Sequence, residues 1–152
     1  MRIIIVTQEE RIYLPKVIKD FLTKCRDNEI EVAGIIVNSA YVEGKKTGFL
    51  ARATKYYRVF GGRFFSRYAL KYLSSLIQSK SIRSIVSMFN VPIINLEHSI
   101  NNPISIKKIQ GYNPDIMVSI LNNQIFKQPA IDACKRGILN LHTSLLPNFR
   151  GL

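Results

Sequence analysis

Residues 2–37, RIIIVTQEERIYLPKVIKDFLTKCRDNEIEVAGIIV, decide the fold of this chain. They begin with a β-branched apolar run at 2–7, which is typical of a strand buried inside a parallel sheet. Pro15 then suits the first turn of a helix. Apolar positions recur around it with helical spacing, at Leu14, Val17, Ile18, Phe21, Leu22 and Cys25. A second apolar strand is predicted at 31–37, so the stretch forms a right-handed βαβ unit.

The rest of the chain continues the alternation of apolar strands and amphipathic helices. Further strands are predicted at 91–96, 115–120 and 137–141. Helices are predicted at 65–76, 82–89, 104–110 and 128–135, with Ser81 near the cap of the second of these. Residues 41–62, which carry four glycines among basic residues, are interpreted as a loop or a poorly defined insertion. This order predicts one α/β domain with a mostly parallel sheet and flanking helices.

The composition places the chain among folded proteins. Its 152 residues, 47% of them hydrophobic, suffice for one domain with a real core. Cys25 and Cys134 indicate neither a disulfide framework nor a zinc site. The start, MRIIIVTQEE, has too short an apolar run for a signal peptide, and no stretch approaches the length that crosses a bilayer. We therefore expect a cytoplasmic protein without an integral membrane segment.

The net charge of +12 is distributed unevenly along the chain. Residues 44–96 contain ten Lys and Arg and no acidic residue. Such a segment favours a polyanion or an anionic membrane surface, and the aromatic residues at 56–68 would suit stacking on nucleic acid. The same pattern is also typical of a solvated basic face that surrounds ordinary core packing. Both interpretations stay open from the sequence.

Ligands of open α/β sheets bind beyond the carboxyl ends of the strands. Three segments meet this condition: TQEE at 7–10, LNNQIF at 121–126 and NLHTSLLP at 140–147. The first has no glycine-rich turn, and its two carboxylates would repel a phosphate. A dinucleotide-binding site after the first strand is therefore disfavoured.

The third segment carries the polar residues that are best placed for chemistry. Asn140 and His142 are two apart on a strand and share a face, which Ser144 joins if the extended backbone continues. An asparagine amide can donate to a developing oxyanion, and a histidine can exchange a proton near neutral pH. The alternative is a pair of polar residues at a strand end that bond to nearby backbone.

The whole string GILNLHTSLLPNFRG, residues 137–151, resembles the signature of the folate-dependent formyltransferases. This family includes methionyl-tRNA formyltransferase, glycinamide ribonucleotide formyltransferase and the amino-sugar N-formyltransferases. The shared order is an Asn-x-His pair, then Ser-Leu-Leu-Pro, then an aromatic residue, a basic residue and glycine. Upstream, NPDIMVSILNNQIF at 113–126 is similar to the family's preceding strand and loop. The resemblance implies a Rossmann-like N-terminal domain over residues 1–152, truncated after the catalytic-strand loop and so incomplete at its C-terminal end.

The resemblance also implies a reaction, the transfer of a formyl group from 10-formyltetrahydrofolate to an amine. Asn140 and a protonated His142 would be the catalytic residues that stabilise the oxyanion. Two segments would bind the folate donor: Gln124, Ile125 and Phe126, largely through backbone groups, and Ser144, Leu145, Leu146 and Pro147. No metal ion is expected. For Phe126, simple core packing is an equally good interpretation.

Two departures from the family pattern limit these expectations. The family's catalytic aspartate lies well downstream of the Leu-Leu-Pro loop, on a segment beyond residue 152, and neither Asp115 nor Asp132 is placed to replace it. The chain by itself is therefore expected to have little or no catalysis. TQEE also lacks the glycine-rich loop that holds the substrate phosphate in the purine-pathway members. The expected acceptors are thus a nucleotide-linked amino sugar first, methionyl-tRNA second and the purine intermediate third.

Two other functions remain compatible with the sequence. One is a basic α/β binding module, in which residues 45–83 bind nucleic acid or an anionic membrane surface. The other is a degenerate, truncated remnant without selected activity. The sequence leaves the oligomeric state open, and a homo-oligomer is compatible with it.

Overall fold

The computed structural model describes residues 1–38, 49–77 and 81–142. Its strands are β1 (Arg2–Gln8), β2 (Glu31–Asn38), β3 (Ile116–Ile120) and β4 (Ile138–Leu141). Over the described residues they form one four-stranded sheet in the order β2-β1-β3-β4, and each neighbouring pair is parallel. The predicted α/β fold with a parallel sheet is confirmed.

The helices are α1 (Leu14–Asp27), α2 (Phe49–Ile77), α3 (Ile82–Met88), α4 (Pro103–Gly111) and α5 (Gln128–Ile131). Two of them begin at a side-chain cap, which satisfies an amide group that has no partner within the helix. Ser81 Oγ accepts a hydrogen bond from the Ser84 N–H at 3.1 Å, as the sequence predicts. Asn102 Oδ1 accepts one from the Ile104 N–H at 2.9 Å.

The central strand β1 is buried on both faces because helices cover both sides of the sheet. Ile3 and Ile5 pack in a first core cluster with residues of α1 and α3. Ile4 and Val6 pack in a second cluster on the other face, together with Ile109 of α4. The predicted apolar stripe of α1 supplies Leu14, Ile18, Leu22 and Cys25 to the first cluster. Because both faces of β1 pack against the core, its sequence is one continuous apolar run.

The strand predicted at 91–96 is wrong as a full strand. It is a single parallel bridge between Ile35 and Ile93 on the outer side of β2. The Ile35 N–H donates to the Pro92 carbonyl at 2.9 Å, and the Ile94 N–H donates to the Ile35 carbonyl at 2.8 Å. Pro92 has no N–H to donate, so the ladder cannot extend toward its side.

The loop predicted at 41–62 is wrong for residues 49–62, which are helical in the structure. Gly61 alone departs from helical backbone angles, with φ 77° and ψ 165°, and divides α2 into two segments. The rings of Phe60 and Phe64 lie 4.9 Å apart across this break and connect the two segments. Residues 41–48 lie outside the described part of the chain.

The helix predicted at 128–135 ends at Ile131. After a turn in which the Cys134 N–H donates to the Ile131 carbonyl at 3.3 Å, the next two amide groups bond to the residues that precede β3. The Lys135 N–H donates to the Pro114 carbonyl at 3.3 Å, and the Arg136 N–H donates to the Asp115 carbonyl at 2.8 Å. These bonds turn the chain into β4 through Gly137, whose φ is 78°.

Candidate active site at the carboxyl edge of the sheet

The carboxyl ends of the parallel strands described above meet at one edge of the sheet. β2 ends at Asn38, whose Nδ2 donates to Asn122 Oδ1 in the loop after β3, at 2.8 Å. Because β1 lies between β2 and β3, this hydrogen bond crosses the end of β1. The bond fixes the loop after β3 against the rest of the edge.

The two residues predicted as catalytic both lie at this edge. Asn140 is in β4, and His142 follows that strand directly. Strand alternation puts both on the face of Ile138, which packs against the second core cluster. Asn140 is exposed and His142 is partly buried. The pair thus shares one face at the end of β4, and the side chain of Asn140 is exposed to solvent.

Gln124, predicted to contact a folate, is bonded within the fold. Its Oε1 accepts a hydrogen bond from the Ile100 N–H at 2.9 Å. Its carbonyl accepts one from Asn122 Nδ2, also at 2.9 Å. The Gln124 side chain thus fixes the loop after β3 to Ile100. The backbone carbonyl of Gln124 retains one lone pair for a ligand.

Asn101 holds the other end of the same loop. Its Nδ2 donates to the Ile125 carbonyl, and its Oδ1 accepts from the Lys127 N–H, both at 2.8 Å. Sequence reasoning missed this residue. The signal for it was the Asn-Asn-Pro sequence at 101–103, where the second asparagine caps α4 and the first can bond elsewhere.

The two apolar residues of this loop have different surroundings. Ile125 is 73% exposed at the tip of the loop. Phe126 is partly buried and packs against the second core cluster. Phe126 thus has the core contacts that the packing interpretation expects, while its contact with a donor stays a prediction; Ile125 offers an exposed apolar surface beside the edge. The other predicted donor-binding residues, Ser144, Leu145, Leu146 and Pro147, lie outside the described part of the chain.

The start of α1, where a phosphate would bind in many α/β proteins, is occupied by the carboxylate of Glu10. That carboxylate accepts hydrogen bonds from the N–H groups of Ile12, Tyr13 and Leu14, at 2.7, 2.7 and 2.8 Å. The chain supplies its own anion to these amide groups. Glu10 therefore uses the N–H groups that a phosphate would need, and its negative charge also repels a phosphate.

Two hydroxyl groups are buried at the carboxyl end of the sheet. Thr7 is 0% exposed and Ser119 is 1% exposed. Neither hydroxyl has a hydrogen-bond partner among the described residues. Ser119 is the register partner of Asn140 across the β3–β4 pair. Buried hydroxyl groups without a partner are costly, and they concentrate at functional sites.

The carboxylates that could assist a histidine are placed elsewhere. Asp115 lies at the amino edge of the sheet, where its Oδ2 accepts from the Arg2 N–H at 2.7 Å and its Oδ1 from Lys135 Nζ at 3.0 Å. Asp132 follows α5 and accepts from Gln128 Nε2 at 2.8 Å. Within the described ranges, no group of three His, Cys, Asp or Glu residues could hold a metal ion.

A family model described as formyl transferase matches residues 1–152 of the sequence. The chain belongs to the formyl transferase family. Curated relatives include a methionyl-tRNA formyltransferase of Akkermansia muciniphila, 32% identical over 76 residues, which are 50% of this chain and 24% of that protein. Another, from Citrifermentans bemidjiense, is 34% identical over 70 residues, or 46% of this chain and 22% of that protein.

Solved structures support the fold of this formyl transferase family chain. Glycinamide ribonucleotide transformylase 1 from Symbiobacterium toebii matches with a TM-score of 0.57 and 17% identity, over 100% of this chain and 56% of that chain. The corresponding protein from Geobacillus kaustophilus matches with a TM-score of 0.56 and 13% identity, over 99% of this chain and 62% of that chain. The chain thus spans little more than half the length of these structures.

Proposed function

We propose that this formyl transferase family chain uses the carboxyl edge of its sheet to transfer a formyl group from 10-formyltetrahydrofolate to an amine. The observation that carries the proposal is the position of Asn140 and His142 at the end of β4. They stand next to the loop that follows β3, because β3 and β4 are neighbours in the sheet. A donor held by the loop would therefore meet both residues.

The loop after β3 has groups that fit the pterin ring of a folate. A pterin presents ring and exocyclic N–H donors. The carbonyls of Gln124 and Ile125 are fixed by asparagine side chains, and each retains a lone pair. The exposed side chain of Ile125 offers an apolar surface to the ring. When bound, the donor supplies the electrophilic formyl carbon.

Asn140 and His142 would act where negative charge develops. As an amine attacks the formyl carbon, the formyl oxygen becomes an oxyanion. When the carbonyl re-forms, the bond from the formyl carbon to N10 of the folate breaks, the amine loses a proton, and N10 of the departing tetrahydrofolate gains one. The Asn140 amide would donate a hydrogen bond to that oxygen, and His142 in its protonated form would donate a second. Donors of this kind stabilise the transition state more than the ground state, and that difference is what accelerates a reaction.

The domain proposal is that residues 1–152 form the N-terminal part of the catalytic domain. The matched regions cover 24% and 22% of the two curated relatives named above. The family resemblance places the catalytic aspartate downstream of the Leu-Leu-Pro loop, and the carboxylates of Asp115 and Asp132 are bonded elsewhere. The 152-residue chain by itself is therefore expected to have little or no activity.

The acceptor amine has two candidates. The sequence places a nucleotide-linked amino sugar first. A specific observation favours the second candidate, methionyl-tRNA, because the curated relatives described above are methionyl-tRNA formyltransferases. A purine-pathway acceptor stays third, because Glu10 occupies the amide groups ahead of α1.

The test is a formyl-transfer assay with 10-formyltetrahydrofolate and each acceptor. It uses the full reading frame, including any coding sequence that follows the codon for Leu152. Asn140→Ala and His142→Ala should each lower kcat/KM by about 100-fold or more. Leu139→Ala is the matched control, because Leu139 is exposed on the opposite face of β4.

Unchanged activity in Asn140→Ala would contradict the proposed site. Formyl transfer by the 152-residue chain alone, lost in Asn140→Ala, would support the site but contradict the expected inactivity. Reading the gene beyond Leu152 also decides whether a family-like extension with an aspartate continues.

A further inference from the structure

α2 exposes large apolar side chains that a water-facing helix normally lacks. Those at least half exposed are Tyr57, Val59, Phe60, Leu70 and Leu73, at 56%, 63%, 51%, 67% and 56%. Phe64 is 47% exposed. A concentration of apolar surface on one element indicates an interaction site rather than the scattered exposure of ordinary surfaces.

The charged residues of the same helix are all basic. Arg63, Arg67 and Lys71 are four residues apart, so they form one row along the second helical segment. Phe64 borders this row on one side, and Leu70 borders it on the other. The helix therefore presents a basic row between two apolar borders.

The surrounding sequence does not neutralise this row. Residues 44–96 contain no Asp or Glu. Where α2 meets the rest of the described fold, Lys71 Nζ lies 5.3 Å from the ring centroid of Tyr13, just ahead of α1. α2 thus adjoins the carboxyl edge of the sheet, from which α1 starts.

We propose that α2 is a surface-binding helix for an anionic phospholipid membrane. Its apolar side chains would enter the region between headgroups and acyl chains, while its arginines reach the lipid phosphates. The described residues include no helix that is long and apolar enough to cross a bilayer. Bound to a membrane, α2 would lie in the plane of the interface, as amphipathic surface helices do. This inference does not depend on the proposed formyl transfer.

Two observations favour a membrane over a single-stranded nucleic acid. Several aromatic rings of α2 are already packed on one another: Phe60 on Phe64 at 4.9 Å, Phe64 on Tyr68 at 6.2 Å, and Tyr57 on Phe65 at 5.8 Å. They are less available to stack on bases. The most exposed apolar side chains of α2, Val59 and Leu70, are aliphatic, and burying them away from water is favourable without any base to stack on.

The experiment is co-sedimentation of the purified full chain with vesicles of phosphatidylcholine alone or mixed with phosphatidylglycerol. Binding is expected only to the mixed vesicles. Arg63→Glu with Arg67→Glu should weaken it by about tenfold or more, because each basic residue near an anionic surface contributes. Leu70→Ser with Leu73→Ser keeps every charge and should also weaken it about tenfold, because the apolar contact is lost.

The matched control is Lys107→Glu with Lys108→Glu, which makes the same charge change at exposed positions of α4. This pair should bind mixed vesicles like the parent chain. Circular dichroism confirms that each variant is folded. The variants change exposed side chains, so loss of the fold is not expected.

Several results would overturn the proposal. One is the absence of binding to mixed vesicles, and another is an equal loss in the α4 control pair. A third is binding that Leu70→Ser with Leu73→Ser leaves unchanged, which would indicate adsorption by charge alone. Retention on single-stranded RNA without vesicle binding would assign α2 to nucleic acid. A dimer abolished by the leucine changes, without vesicle binding, would assign it to a second copy of the chain.

Discussion

At the scale of single residues, the carboxylate of Glu10 takes the place that a bound anion could occupy at the start of α1. Its carboxylate accepts three backbone hydrogen bonds, from Ile12, Tyr13 and Leu14. A side chain that satisfies such amide groups stabilises a helix start. We expect Glu10→Ala to lower the free energy of unfolding by about 1 kcal/mol, measured by urea denaturation. Glu9→Ala removes the same charge from the neighbouring position and should change stability by less than about 0.5 kcal/mol. Equal losses in the two variants would argue against the cap.

Removal of the buried hydroxyl of Thr7 is expected to raise stability, in contrast to Glu10→Ala. Thr7 is 0% exposed, and its Oγ1 has no partner among the described residues. Thr7→Val keeps the shape and removes the polar group, so the free energy of unfolding should rise by about 1 kcal/mol in thermal or urea denaturation. Thr23→Val is the control, because Thr23 Oγ1 donates to the Lys19 carbonyl at 3.0 Å and no gain is expected there. A loss of stability in Thr7→Val would mean that the hydroxyl has a partner in the folded protein.

At the scale of elements, periodicity predicted α1, β1, β2 and β3. The spacing of apolar residues along the sequence indicates which face of each element packs against the core. Residues 91–96 show where this fails. Their apolar run resembles a strand, but they form a single bridge, and Pro92 lacks the N–H that would extend the pairing on its side. The glycines at 61 and 62 also misled the prediction, since only Gly61 leaves the helical region.

Gly34 allows the segment at 91–96 to approach β2. A Cβ at this position would lie 2.6 Å from Ile94 Cδ1 and 3.2 Å from the Pro92 carbonyl oxygen. We expect Gly34→Ala to lower the free energy of unfolding by about 1–3 kcal/mol because the two segments must separate. Ile94→Val removes the closest atom, so the double variant should lose less than the two single changes added together. Strict additivity in urea denaturation would contradict this contact.

At the scale of the whole molecule, Asp115 connects the amino ends of β1 and β3 and the segment that leads into β4. The backbone hydrogen bond from Arg2, followed by the hydrogen bond from Lys135, holds the pKa of Asp115 below its usual range. The folded state therefore favours the ionised carboxylate. Its stabilising contribution is present above the unfolded pKa of about 3.9 and is lost as the pH falls through the lower folded pKa.

Asp115→Asn should accordingly reduce the dependence of stability on pH below about pH 4. The measurement is urea denaturation at a series of acidic pH values. Asp20→Asn, an exposed change on α1, is the control for the loss of one negative charge. The same acid dependence in the parent chain and in Asp115→Asn would contradict the assignment.

The candidate site was predictable only in part. The position of Asn140 and His142 followed from their spacing and from the carboxyl-edge rule, both of which are visible in the sequence. The roles of Asn101 and Asn122 were not visible, because their partners belong to other loops. Gln124 was predicted to bind the donor largely through backbone groups, and that stays a prediction. The bond of its side chain to the Ile100 N–H, 24 residues away in the sequence, was not visible.

The sequence by itself determined the alternation of strands and helices, except at residues 49–62 and 91–96, and the membership of the formyl transferase family. Both depend on local patterns: apolar spacing in the first case and a contiguous motif at 137–151 in the second. Only the tertiary structure decided which polar groups meet at the carboxyl edge. Asn38 and Asn122 are 84 residues apart and touch because β1 separates their strands by a single position in the sheet. Strand order and register set such contacts, and no local pattern encodes them.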